Sequence, residues 1–192
     1  MSNTVRENSL EIDRLKSSNK DNKDRFENIE KQLELVMDNF IDPSKYKHYV
    51  FYKGERIESD IAYQNIYSKA KHNIYIIDDY ISLKTLQLLK GIKRSIKVII
   101  FSDNKDKIGL SSLLFNDFIK DTNLNITLLH NNTYHDRYII LDYGYKDMKV
   151  FHSGASSKDG GNSGYEIDER EYPHDYDERI KLMLKNKELL LK

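Results

Sequence analysis

The stretch His135-Asp136-Arg137-Tyr138-Ile139-Ile140-Leu141-Asp142 opens on three polar residues, runs through four that suit the buried body of a strand, and closes on a carboxylate. Alternation along a strand sends side chains two positions apart to the same face, so His135 and Arg137 stand side by side, an imidazole next to a permanent cation. Asp142 marks the far end of that strand or turns back to fix a partner. A second polar stretch, His152-Ser153-Gly154-Ala155-Ser156-Ser157-Lys158-Asp159-Gly160-Gly161, follows the apolar run Lys149–His152. Both stretches concentrate polar groups at strand ends.

Working outward, Arg137–Asp142 and Lys149–His152 read as neighbouring strands paired across residues 143–148. Upstream, β-rich runs at 73–78, 96–101 and 125–130 alternate with helical patterns at 59–71, 82–91 and 110–121. Tyr49–Tyr52 and Arg56-Ile57 flank Lys53-Gly54-Glu55 and read as a short hairpin. Residues 177–191 read as a closing amphipathic helix. Strand and helix in alternation predict an α/β layer fold with a largely parallel sheet and a final antiparallel section.

Residues 5–40 carry a different period. Val5, Asn8, Ile12, Leu15, Asn19, Asn22, Phe26, Ile29, Leu33, Val36 and Phe40 alternate spacings of three and four, the a/d seam of a coiled coil. Pro43 ends this helix. The predicted division is therefore an N-terminal coiled-coil helix, residues 1–42, and an α/β domain, residues 43–192. The alternative for the helix is packing of its second half onto its own domain, and the seam also offers a surface for a protein partner.

The spacing His135-x-Arg137-x4-Asp142, followed by Gly154-Ala155-Ser156, resembles the phospholipase D superfamily, whose signature is His-x-Lys-x4-Asp with a downstream Gly-Ser segment. The strings around His135 and around Phe151–Gly161 are most similar to single-motif bacterial and phage members found with Fic, RhuM or ORF6N-type modules. The resemblance extends over roughly residues 40–161 and takes in Ile76–Ile81 and Ile99–Asn104. It implies a phospholipase-D-like mixed sheet flanked by helices. It also implies a phosphodiesterase that needs no metal or other cofactor. In that implied mechanism His135 attacks phosphorus, Arg137 holds the non-bridging oxygens, and a second His serves the leaving group. Ser153, Gly154, Ser156, Lys158 and Asp159 would line the anion cradle, and Asp142 takes the motif's carboxylate place. Such a site requires two motifs and this chain has one, so the resemblance implies a homodimer, which the seam at 5–40 independently suggests. Nucleic acid is the expected substrate, with a toxin, defence or phage effector as the expected setting. The alternative is an inactive module that binds a phosphate, a nucleotide or a protein. The sequence departs from the signature in placing Arg137 where Lys is usual, in a longer spacer between Asp142 and Gly154, and in the order Gly-Ala-Ser-Ser-Lys-Asp.

Composition narrows the setting. The 192 residues hold 31 Lys plus Arg against 31 Asp plus Glu, so contact with nucleic acid must come from a local patch. Absence of Cys excludes disulfides, thiolate metal sites and a Cys nucleophile. No apolar run reaches the length of a membrane span, and residues 1–20 lack the core of a signal peptide, which predicts a cytoplasmic protein without membrane contact. Asp78-Asp79 offers a pair of carboxylates that could ligate a metal, but reads first as a strand end or a cap for the helix at 82–91. Residues 103–107 do not fit a calcium loop. His152 reads either as a partner of the site or as a structural side chain, and His130 and His174 as ordinary surface residues. Lys84, Lys90, Lys93, Arg94 and Lys97 form the densest basic segment, read as a solvated face before a nucleic-acid track.

Overall fold

A computed structural model of the chain describes residues 47–131 and 135–191, together with Asn19, Asn22, Lys23 and Phe26, which have helical backbone. The chain divides into two units, Met1–Lys45 and Tyr46–Lys192. Apart from those four positions, the expected coiled-coil seam and the expected boundary at residue 42 lie outside the described residues.

The second unit is built on one seven-stranded sheet. Its strands are β1 (His48–Phe51), β2 (Asn73–Ile77), β3 (Lys97–Phe101), β4 (Asn125–Leu129), β5 (Arg137–Leu141), β6 (Lys149–Ser153) and β7 (Tyr165–Glu169), in the spatial order β1-β7-β6-β5-β2-β3-β4. The helices are α1 (Arg56–Ser68), α2 (Leu83–Gln87), α3 (Ser112–Thr122) and α4 (Asp177–Met183). β2, β3 and β4 run parallel because α2 and α3 carry the chain back between them. Every other neighbouring pair is antiparallel. The mixed α/β sheet matches expectation, but the parallel portion is confined to three strands.

Two apolar layers sandwich the sheet. On one face Ile74, Ile76, Val98, Ile100, Ile139 and Leu141 meet α1, α2 and α3. On the other, Tyr75, Ile77, Phe101, Tyr138 and Ile140 meet Ile180 and Met183 of α4. Strict alternation along β2 and β5 divides their side chains between the layers, which is why both strands are buried on both sides.

Several local readings change. The expected hairpin at 49–57 is absent: β1 pairs with β7, and Arg56 begins α1. Ser59, Ala62, Tyr63, Ile66 and Tyr67 form one buried helical stripe, and this period of three and four outweighs the local turn signal at Gly54. The closing helix is shorter than predicted. After α4 the chain turns and lays residues 187–191 along β4, where Leu189 N–H bonds Leu128 O at 3.0 Å and His130 N–H bonds Lys187 O at 2.9 Å. The tail thereby covers the β4 edge of the sheet, which would otherwise leave a row of unpaired backbone groups. No helix among the described residues is long and apolar enough to cross a membrane.

Candidate functional site

One end of the sheet collects nearly all its unusual polar chemistry. The carboxyl ends of β2, β3, β4 and β6 and the amino end of β5 meet there, bringing Asp78, Asp79, Asp103, His130, Asn131, His135, Arg137 and Ser156 to one edge. Strand ends in a sheet of this kind leave loops free to carry reactive groups while the strands fix their origin.

Arg137 is the first residue of β5 and lies opposite Ser153 in the β5–β6 register. Its Nε is buried, sits 3.7 Å from Asp78 Oδ1 and makes no hydrogen bond among the described residues. The guanidinium carbon lies 5.7 Å from the centre of the Tyr80 ring. Charge attraction and the ring face therefore hold the cation in place, each contact being modest in itself. His135, two residues earlier, is exposed.

Asp78 organises the site. It follows the apolar strand β2 and is 3% exposed. Its Oδ1 accepts the Tyr80 N–H at 3.0 Å, and its Oδ2 accepts from Ser156 Oγ at 2.6 Å. Burial pushes its carboxyl above the ordinary carboxylate range, opposed by the Ser156 hydrogen bond, the Tyr80 N–H and the Arg137 charge. The sequence favours a capping or strand-end role for Asp78, with metal ligation as the alternative, and does not place it beside Arg137. The available signal was an aspartate directly after five residues buried on both faces, a position where a charge requires partners.

Asp79 points into a second network. It is 6% exposed. It accepts the Asp103 N–H at 3.1 Å, Asn131 Nδ2 at 2.9 Å and Lys105 Nζ at 2.6 Å. Asp103 in turn accepts the Asn131 N–H and faces His130 Nδ1 at 2.9 Å. His130 is thus a hydrogen-bonded partner of Asp103 at a strand end rather than an ordinary surface residue. The network fixes Asn131, from which the chain leads to His135. His174, exposed and 3.1 Å from Asp177, fits the surface reading.

The structure separates the remaining expected site residues. Ser153 is buried, 2.8 Å from Tyr63 Oη, and donates to Ala155 O at 2.8 Å, so its hydroxyl serves the fold. The Gly154 N–H is spent on Glu166 O at 2.9 Å. Lys158 lies 2.8 Å from Asp159 and 3.1 Å from Asp106, which cancels the second cation the sequence suggested. Gly160 and Gly161 press this loop against α1. A Cβ on Gly160 would lie 2.0 Å from Ser59 Oγ, and Gly161 has φ +76° with its Cβ position 2.6 Å from Arg56 N.

Asp142 departs furthest from its expected catalytic place. It stands at the other end of β5, five residues and about 17 Å of strand from the His135 end. With φ +55° it turns back and accepts the N–H groups of Lys71, His72 and Asn73 at 2.6 to 3.2 Å. This carboxylate caps the entry to β2. The exposed basic residues Lys90, Lys93 and Arg94 precede β3 at that far end, Lys97 opens the strand, and Lys84 pairs with Asp60 at 2.7 Å. The stretch from Lys90 to Lys97 is a solvated face remote from the site.

His152 lies opposite Tyr138 in register, on the sheet face away from Arg137 and Ser153, with the two rings 5.2 Å apart. Burial and the Arg170 charge hold its imidazole below the usual value.

No protein-family model matches the chain, and no curated protein does. Among solved structures it is similar to NucT from Helicobacter pylori, with TM-score 0.50 and 17% identity over 75% of this chain and 99% of that one. It also aligns with TrmBL2, described as an archaeal chromatin protein with a novel mode of DNA binding, at TM-score 0.44 and 14% identity over 91% of this chain and 66% of that one. The likeness to NucT is one of fold: a phospholipase-D-like mixed sheet flanked by helices.

Proposed function

We propose that the chain is a phosphodiesterase acting on nucleic acid, with His135 as nucleophile and Arg137 as the phosphate-binding cation. The observation that carries this reading is the placement of Arg137. A permanent cation is held by Asp78 and Tyr80 at the open end of the sheet, two residues from an exposed imidazole. A fixed guanidinium offsets the charge that builds on phosphoryl oxygens without having to reorganise during the reaction. Imidazole is a competent covalent nucleophile near neutral pH.

In the step itself a His135 ring nitrogen bonds phosphorus, the ester P–O bond breaks, and the departing oxygen takes a proton from a second imidazole. Water activated by that imidazole then cleaves the P–N bond and regenerates His135. The second imidazole is the His135 of a symmetry-related copy, so the reading includes a homodimer, with the seven-residue repeat at 5–40 as its expected association segment. A cytoplasmic toxin, defence or phage effector is the setting in which such a dimer fits. The likeness in fold to NucT supports the reading.

A second reading follows from the engagement of Arg137 with Asp78 and the neutralisation of Lys158. These features suit a module that holds a phosphate or nucleotide without turnover. The deciding experiment compares wild type and His135→Ala on DNA and RNA oligonucleotides in EDTA. Cleavage by wild type and none by the variant is expected. Equal cleavage by both removes His135 from the chemistry, and binding of both substrates without product by wild type selects the second reading.

A further inference from the structure

On the sheet face opposite Arg137, β1 and β7 bring together a donor set that the phosphodiester reading does not use. β1 is an edge strand whose register places His48 directly opposite Asp168. Glu166 stands two residues before Asp168, so alternation puts it on the same face, one step along from His48. The inward-facing neighbours Phe51, Tyr165 and Ile167 are buried in the core, which leaves these three side chains facing outward. One nitrogen of His48 and one carboxylate oxygen each from Glu166 and Asp168 lie within 4.8 Å of one another. His48 Nδ1 is in contact with Asp168 Oδ1.

This is a mixed nitrogen and oxygen set rather than a patch of carboxylates alone. Two carboxylates balance a divalent charge, and imidazole selects transition metals over calcium or magnesium. The row extends inward, because His152 of β6 is the register partner of Asp168 on its other side. Beside the cluster lies an open hollow of about 490 Å³ lined by Val50, Tyr52, His152, Glu166 and Asp168. It gives a cation access and leaves room for a further ligand at the fourth tetrahedral position.

We propose that His48, Glu166 and Asp168 form a binding site for a divalent transition metal of the zinc class, clipping the edge strand β1 to β7. The ligands come from two paired strands at the sheet margin, so the ion adds a tie between the edge strand and its neighbour. This inference is independent of any role for His135, which lies on another strand end.

The test uses the full chain stripped of metal and titrated with Zn²⁺ by calorimetry and with Co²⁺ by visible absorption. Wild type is expected to take one equivalent and to develop the absorption of tetrahedral cobalt. His48→Ala and Glu166→Gln are each expected to weaken binding at least about tenfold and to abolish the cobalt spectrum. Both residues are exposed, so metal-free variants keep the wild-type circular dichroism and unfolding midpoint. His174→Ala, at an exposed imidazole paired with Asp177, leaves binding unchanged. Absence of a cobalt spectrum in wild type, or wild-type affinity in either His48→Ala or Glu166→Gln, overturns the proposal.

Discussion

Ser156 Oγ lies 2.6 Å from Asp78 Oδ2, and this contact joins the two polar stretches of the sequence. Asp78 faces Arg137 through its other oxygen, so the loop after β6 and the start of β5 meet through one buried carboxylate. Ser156→Ala removes a hydrogen bond to that carboxylate and leaves part of it unsatisfied. The expected cost is about 1.5–3 kcal/mol in urea unfolding. Because the support of Arg137 loosens at the same time, binding of inorganic phosphate should also weaken. Unchanged phosphate affinity in the folded variant would separate Ser156 from the site.

Asp142 yields the opposite pattern. It accepts three backbone N–H groups at the entry to β2, and its φ of +55° suits aspartate, asparagine or glycine. Asp142→Ala leaves those donors unpaired in a buried corner and adds backbone strain. A loss of about 2–4 kcal/mol is expected, with phosphate affinity of the folded fraction unchanged. Equilibrium unfolding paired with calorimetry on the same samples checks both halves. A folded variant of normal stability with lost phosphate binding would return Asp142 to the site.

The contrast between these two aspartates shows what the sequence could and could not convey. The β5 strand is legible from its apolar body, and His135 and Arg137 from their spacing before it. The two layers are legible from the runs at 73–78 and 96–101, because strands buried on both faces are nearly all apolar. β7 escaped notice because Tyr165–Glu169 alternates two core residues with three acids, and its charge hides a period of two. The tail after α4 reads as helix by its leucines, but its backbone goes to the β4 edge, a long-range pairing that no local period encodes. Asp78 and Asp142 have similar local contexts at strand ends. Only the register between strands sends one to Arg137 and the other to three backbone donors.

Lys158 is the residue whose local sequence is most persuasive as a phosphate ligand and whose surroundings argue most firmly against it. Its ammonium is engaged by Asp106 and Asp159, one on each side. Lys158→Met breaks both pairs and is expected to cost about 1 kcal/mol, since the groups are partly solvated. Phosphate affinity should stay within about twofold of wild type. A tenfold loss measured by calorimetry would mean that the lysine leaves its carboxylates for the ligand.

Asp78 also sets a pH dependence whose sign is fixed by its burial. Its folded carboxyl titrates above the ordinary value of about 3.9. The folded chain therefore holds this proton more tightly than the unfolded chain does. The resulting stabilisation is complete below the unfolded value and is lost as pH rises through the raised folded value. The hydrogen bonds from Ser156 and Tyr80 and the Arg137 charge oppose this direction, and burial outweighs them. Ser156 Oγ approaches both Asp78 Oδ2 and Tyr80 O, at 2.6 and 2.7 Å, and its single hydrogen serves one acceptor at a time. Asp78→Asn cannot titrate, so the stability advantage of wild type over the variant should be larger near pH ~4 than near pH ~7. Urea unfolding of both proteins at the two pH values measures that difference directly. An advantage that shrinks on acidification would mean that the Arg137 ion pair, rather than burial, governs the carboxyl.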